Sequence, residues 1–219
     1  YISFVFLLLI IYHANWQLID DHSIVDSLTQ DKYLTTHISE EMFKIGRFFP
    51  LCMQEFNVIF AINKTVTPLI MYIFVGLQFV IYFHIMYKNI YNTLEDINYY
   101  KILFLLILLY ISPGFVTAFL RLFVPERSVL FFLAIFFYYF ISYQENQNIC
   151  HMLLGLISAN FALYYKEPVF IMLGVFAFLH LFIGWKKINY KQKSFDAYLI
   201  ASSFVFLAAY YFVVYSNIT

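Results

Sequence analysis

Two adjacent carboxylates, Asp20 and Asp21, lie where the first hydrophobic segment of the chain ends. Charged residues make up only 12% of the sequence, and taking a carboxylate out of water is costly unless it is paired. At a membrane surface a carboxylate can accept the proton of an attacking hydroxyl, which accelerates group transfer by about 10²–10⁴-fold. Asp20 and Asp21 are therefore the candidate catalytic residues. The alternative role of the pair is to cap the surface helix that follows it.

Four further residues are candidates for binding a substrate: Arg47, Glu55, Lys166 and Glu167. Lys and Arg can neutralise a phosphate that leaves during transfer. Each residue also has a simpler interpretation. Arg47 can contact lipid head groups, Lys166 can snorkel, Glu167 can be solvated in a turn, and Glu55 can lie on the wet side of an amphipathic helix.

The elements that must position these residues are hydrophobic helices. The chain is 63% hydrophobic, and a helix needs roughly 17–25 mostly apolar residues to cross a bilayer. The runs are continuously apolar rather than alternating, which favours helices over a barrel. The sequence thus predicts an all-α polytopic transmembrane bundle of about seven helices, as one domain over 1–219. The predicted spans are 1–15, 67–87, 99–120, 128–143, 149–165, 168–185 and 197–216.

The segment 16–66 is predicted to be the first extracytoplasmic loop. Apolar residues recur at helical spacing over 23–30 and over 51–62, which predicts two amphipathic helices lying along the membrane surface. Gly46 and Pro50 predict a break between them. The Lys-rich turn 186–193 decides the orientation, since positively charged short loops face the cytoplasm. Asp20, Asp21, Lys166 and Glu167 are then all expected on the outer face.

On these residues the sequence resembles the GT-C-type integral membrane glycosyltransferases. The acidic pair after the first predicted span matches the acidic motif of that family, and 46–51 followed by 55–57 is similar to a stretch of bacterial members that build or decorate surface polysaccharides. The resemblance covers mainly residues 1–70. It implies a polyprenyl-phosphate-linked sugar as donor, a glycan or lipid-linked acceptor, an acidic residue as base and inversion at the anomeric carbon. Members usually have more than seven helices, so the chain is expected to be incomplete at its termini.

Several other interpretations stay open. A transporter or flippase of a lipid-linked saccharide, a polysaccharide polymerase or ligase, and a non-catalytic membrane scaffold would all suit a polytopic chain. The expected location is the bacterial inner membrane with the active face outward, among membrane lipids. Zero net charge argues against a nucleic-acid partner. The sequence implies no cofactor and leaves a requirement for a divalent metal undecided.

Overall fold

The computed structural model describes residues 2–12, 14–16, 21–30, 40–63, 67–94 and 98–218. All regular secondary structure in these ranges is helical, which confirms the predicted all-α class. In chain order the helices are α1 (Ile2–Tyr12), α2 (Asp21–Thr29), α3 (Glu40–Lys44), α4 (Gln54–Asn63), α5 (Pro68–Thr93), α6 (Tyr99–Ile111), α7 (Pro113–Leu120), α8 (Pro125–Asn146), α9 (Ile149–Tyr165), α10 (Val169–Gly184), α11 (Tyr190–Tyr210) and α12 (Ser216–Ile218), with a π-helical turn (Tyr211–Tyr215) between α11 and α12.

Three of the described helical segments are long and apolar enough to cross a membrane: α5, α8 and α11 extended through the π-helical turn. Helices α6 and α7 make a fourth candidate if the bent pair counts as one span. The apolar helices α9 and α10, with 17 and 16 residues, are shorter. The described residues therefore contain three or four candidate spans by length and composition, where the sequence predicts seven.

The α6–α7 pair is bent by 74°. Pro113 is the first residue of α7, and Ser112 before it is extended, with φ −62° and ψ 134°. A residue before proline avoids the α conformation, and proline lacks the N–H that would continue the helix. A side chain on Gly114 would meet no atom within 4 Å. Pro113 therefore accounts for the bend.

The chain divides into two compact units. The first comprises Tyr1–Leu34 and Met53–Arg127, in which α5 packs against α1, α6 and α7. Gly76 lets α1 approach α5, since a side chain at this position would collide with Leu7. Stacked and edge-on aromatic rings join α5 to the α6–α7 pair: Phe79, Tyr82, Tyr110, Phe115 and Phe119.

The second unit comprises Thr35–Cys52 and Ser128–Thr219. Helices α9, α10 and α11 contact one another, and α3 packs against the π-helical turn and α12. Asn189 and Gln192 form a capping box at the start of α11, which satisfies two backbone N–H groups. The core of this unit is aromatic and aliphatic, with buried side chains that include Phe136, Leu163, Leu173, Ala177, Phe195, Leu199 and Phe206.

Candidate functional site

The segment that carries Arg47 is tied to two helices of the second unit. Gly46 has φ +79°, in the left-handed region where glycine is favoured. Its carbonyl accepts a hydrogen bond of 2.9 Å from the Tyr210 hydroxyl of α11. A few residues on, the N–H of Leu51 donates to the carbonyl of Tyr164 in α9 at 3.2 Å. The turn around Arg47 is therefore held at both of its ends.

Phe48 anchors the turn in the core of the second unit. It is buried, and its ring lies 5.6 Å from that of Phe206 and 6.3 Å from that of Phe43. The aromatic side chain is thus part of the core, while the Arg47 side chain next to it stays 52% exposed. The turn therefore places the Arg47 guanidinium at the surface, while the Phe48 ring beside it packs in the core.

Glu167 comes from the short connection between α9 and α10. Lys166 is the C-cap residue of α9 and has extended backbone angles, and Pro168 is the N-cap residue of α10 with φ −59°. Proline suits the start of a helix because its φ is already close to the helical value. The connection therefore leaves Lys166, which is half-buried, and Glu167 together at one end of the α9–α10 pair.

The structure brings Arg47 and Glu167 together. The backbone N–H of Phe48 donates to Oε1 of Glu167 at 2.9 Å, and Nη1 of Arg47 lies 3.9 Å from Oε2. The Glu167 side chain is 12% exposed, so the carboxylate is largely removed from water. Its buried Oε2 accepts no hydrogen bond from the described residues. We call Arg47 and Glu167 with the Phe48 amide the Arg47–Glu167 site.

The two charged groups of this arrangement have different roles. An exposed guanidinium can bind a phosphate oxygen through a charge-assisted hydrogen bond. The Glu167 carboxylate instead holds the turn in place, since its Oε1 accepts from the Phe48 N–H and its Oε2 is buried. The Arg47–Glu167 site can therefore hold a phosphate group at a turn that Glu167 keeps in position.

Glu55, the other residue with a predicted binding role, lies in the first unit beside a buried arginine. Arg127 is fully buried, and its Nη2 lies 3.7 Å from Oε1 of Glu55. The Arg127 guanidinium also donates to Oε1 of Gln78 and to the carbonyls of Arg121 and Leu122, at 2.7–3.0 Å. Because a buried charge needs a counter-charge, this geometry favours a structural role for Glu55.

The predicted catalytic pair is only partly within the described residues. Asp21 is the first residue of α2. Asp20 and the side chain of Asp21 lie outside the described residues. The catalytic role of the pair therefore stays a prediction.

The structure also shows a polar cluster that the sequence interpretation missed. His180 of α10 contacts the buried carboxylate of Asp196 in α11 at 2.8 Å. Neither residue is among the candidates that the sequence analysis names. The two residues are 16 positions apart, on two consecutive helices joined by a short turn. Their contact depends on the register between the two helices, which hydrophobic periodicity does not determine.

Comparisons of the chain with protein-family models, with curated proteins and with solved structures found no match. Within the described parts of the chain, no three His, Cys, Asp or Glu side chains are grouped so that they could hold a metal ion. Any functional assignment for this chain therefore depends on its own residues and their geometry.

Proposed function

We propose that the chain is part of a polytopic membrane glycosyltransferase of the GT-C type. It would transfer a sugar from a polyprenyl-phosphate donor to a glycan or lipid-linked acceptor at the outer face of a bacterial inner membrane. The observation that carries the proposal is the Arg47–Glu167 site, in which residues about 120 positions apart place a guanidinium and a carboxylate side by side. Both residues are predicted substrate-binding residues because of their charge and their expected position on the outer face.

In this proposal each group has a defined task. The acceptor hydroxyl attacks the anomeric carbon, the bond from this carbon to the phosphate oxygen breaks, and Asp20 or Asp21 takes the hydroxyl proton. Arg47 binds the phosphate, assisted by Lys166. Glu167 holds the Arg47 turn through the Phe48 amide and so positions the guanidinium that meets the substrate. The polyprenyl phosphate then leaves with the electrons of the broken bond.

The proposal includes the predicted seven-span bundle. Helices α9 and α10 would join the three or four candidate spans as short crossings, since 16 or 17 residues extend about 25 Å when helical. That length is close to the hydrocarbon thickness of a bilayer, about 30 Å. Helix α1, with 11 described residues, would belong to the predicted first span over 1–15.

A radiolabel assay on membranes that contain the protein tests the transfer reaction. Polyprenyl-phosphate sugars are the donors, and label is followed into the glycan fraction. Asp20→Asn with Asp21→Asn should lower the transfer rate by about 10²–10⁴-fold, as loss of a general base does. The matched control is Asp26→Asn, at an exposed position of α2, which should transfer at the wild-type rate.

The phosphate-binding step has its own readout. Arg47→Ala should raise the KM for the donor more than it lowers kcat, because the guanidinium binds the phosphate before and during transfer. The control is Lys44→Ala, which removes an exposed cation of α3 three residues away. Full transfer activity in the double Asp variant, or an Arg47→Ala variant with an unchanged KM, would contradict the proposal.

A transporter or flippase of a lipid-linked saccharide is the second candidate. The first unit favours it, since it contains the α6–α7 bend and the fully buried Arg127. Interrupted helices and ionisable residues within membrane segments are common at transport sites. Proteoliposomes loaded with a labelled lipid-linked saccharide distinguish the two functions. A transporter moves the lipid between leaflets without cleaving its sugar–phosphate bond, whereas a glycosyltransferase releases polyprenyl phosphate.

A further inference from the structure

The far end of α10 from Glu167 contains a buried histidine–carboxylate contact, which we call the His180–Asp196 pair. Nδ1 of His180 lies 2.8 Å from Oδ2 of Asp196. The Asp196 side chain is fully buried, whereas that of His180 is 24% exposed. The imidazole is therefore the part of the pair that can exchange a proton with the surroundings.

The neighbouring side chains fix the imidazole in one orientation. The His180 ring is stacked against Phe176, with an interplanar angle of 12°, and meets the Phe140 ring edge-on at a centroid distance of 5.1 Å. Its second nitrogen, Nε2, lies 2.9 Å from the side-chain amide nitrogen of Gln144. Both ring nitrogens thus have a hydrogen-bonding partner, one on α8 and one on α11.

Gln144 can serve either protonation state of the imidazole. With the amide nitrogen towards Nε2, Gln144 donates, the ring is neutral, and its Nδ1–H donates to Asp196. Rotation of the amide by 180° places its oxygen there instead, where it accepts from the Nε2–H of an imidazolium. The ring can therefore gain or lose a proton without losing a hydrogen bond.

The charge of the pair favours proton uptake. With a neutral imidazole, the pair leaves one negative charge on a buried carboxylate. Its Oδ1 is buried and accepts no hydrogen bond within the described part of the chain. One added proton makes the pair neutral overall, and an unpaired buried charge is far more costly than a paired one.

Other titratable groups on the elements around the pair are engaged elsewhere or are exposed. The Tyr143 hydroxyl donates to the carbonyl of Lys191, His151 contacts Asn146, and the Lys193 ammonium lies 4.3 Å from the centre of the Trp185 ring. Glu145, Lys186, Lys187 and the side chain of Lys191 are exposed. No contact between these groups and the carboxylate is seen among the described residues, so Asp196 has His180 as its ionisable partner.

We propose that Gln144, His180 and Asp196 form a proton-binding site that joins α8, α10 and α11. The site takes up one proton from the surroundings onto the imidazole, and the resulting imidazolium–carboxylate contact holds α10 against α11. Formation of this contact stabilises the packing of α10 against α11, so the stability of this unit should follow the uptake of the proton. The proposal does not depend on sugar transfer.

Nitrogen-15 NMR of the full chain in lipid nanodiscs, with labelled histidine, tests the proton uptake directly. The chain has six histidines, and the signals lost in His180→Gln identify the residue. When the pH is lowered from about 8 to about 5, the Nε2 signal of His180 should change from that of a bare to that of a protonated nitrogen. A His180 ring that keeps one bare nitrogen throughout this range would overturn the proposal.

Thermal unfolding over the same pH range gives an independent test. The melting temperature of the wild type should rise as the pH is lowered, and Asp196→Asn should remove most of this dependence, because the amide carries no charge to compensate. His151→Gln is the matched control, since the His151 imidazole of α9 contacts the exposed Asn146 side chain rather than a carboxylate, and it should keep the wild-type dependence. An Asp196→Asn variant with the wild-type pH dependence would contradict the proposal.

Discussion

Arg47 and Glu167 stabilise the fold through different contacts. Alanine substitutions at the two positions should therefore lower the free energy of unfolding by different amounts. Glu167→Ala removes the acceptor of the largely buried Phe48 N–H and should cost about 1–3 kcal/mol of unfolding free energy. Arg47→Ala removes a half-exposed ion pair at 3.9 Å and should cost less than about 1 kcal/mol. Unfolding in detergent measures both. Glu167→Gln is the control, because it keeps an acceptor oxygen, and equal losses for the two alanine variants would contradict this assignment.

Substitution of single residues can also decide the role of Glu55. Glu55→Ala leaves the Arg127 guanidinium buried beside one less counter-charge and should destabilise the protein by about 3–5 kcal/mol. Replacing Glu55 and Arg127 together by methionine should recover part of this loss. Glu41→Ala, at an exposed position of α3, serves as control. A stable Glu55→Ala variant with weakened donor binding would instead identify Glu55 as a substrate ligand.

Sequence reasoning predicts these residues better than it predicts their partners. Charge in an apolar chain is easy to notice, so Arg47, Glu55 and Glu167 are evident as candidates. Their contacts depend on packing: Glu55 meets Arg127 because α4 lies against the start of α8 within the first unit. Arg127 itself lies one residue before the predicted span 128–143, whereas the structure places it within α8 and buries it completely.

At the scale of the elements, two glycines make a matched test of helix packing. A side chain on Gly155 of α9 would lie 2.9 Å from the Phe195 ring of α11, so Gly155→Ala should cost about 1–3 kcal/mol. Gly114 in α7 faces open space, and Gly114→Ala should be neutral or gain up to about 1 kcal/mol. The unfolding free energies of the two variants measure the difference. Similar values for both would show that α9 and α11 do not approach each other this closely.

The helices illustrate what periodicity and local chemistry can predict. Pro113 is visible in the sequence as a helix breaker, and the structure bends the chain by 74° at this point. The predicted surface helix over 51–62 corresponds to α4 (Gln54–Asn63), with a turn in place of its first residues. Met53, which has φ +64°, ends that turn. A positive φ at a methionine has no sequence signal, so the later start of the helix was not predictable.

At the scale of the whole molecule, the orientation in the membrane is open to direct measurement. The Lys-rich turn 186–193 is expected inside and the Arg47 turn outside. Single cysteines at the exposed positions Lys44 and Lys187, in a background with Cys52→Ala and Cys150→Ser, provide the labels. A membrane-impermeant maleimide should label Lys44→Cys in intact cells and Lys187→Cys only after the membrane is disrupted. The reverse pattern would invert the predicted topology and move the Arg47–Glu167 site to the cytoplasmic face.

Composition predicts the class of the molecule but not its number of crossings. A chain that is 63% hydrophobic with continuous apolar runs is expected to be helical, and the described residues agree. The number of membrane crossings is harder to predict from composition, because α9 and α10 are near the shortest length that crosses a bilayer. Helices of this length can cross by thinning the bilayer or can stay within one leaflet. Hydropathy alone does not distinguish these two cases.

The π-helical turn Tyr211–Tyr215 amounts to one inserted residue in an otherwise regular helix. Each residue of an α-helix turns the chain by about 100°, so an insertion changes which face every later side chain occupies. Upstream of the insertion, Tyr210 reaches the Gly46 carbonyl, and within it Val214 is buried. A chain lacking this one residue could keep the first contact but would rotate the buried face away. Deletion of one residue here would therefore change the helix register and rotate every later side chain to a different face of the helix.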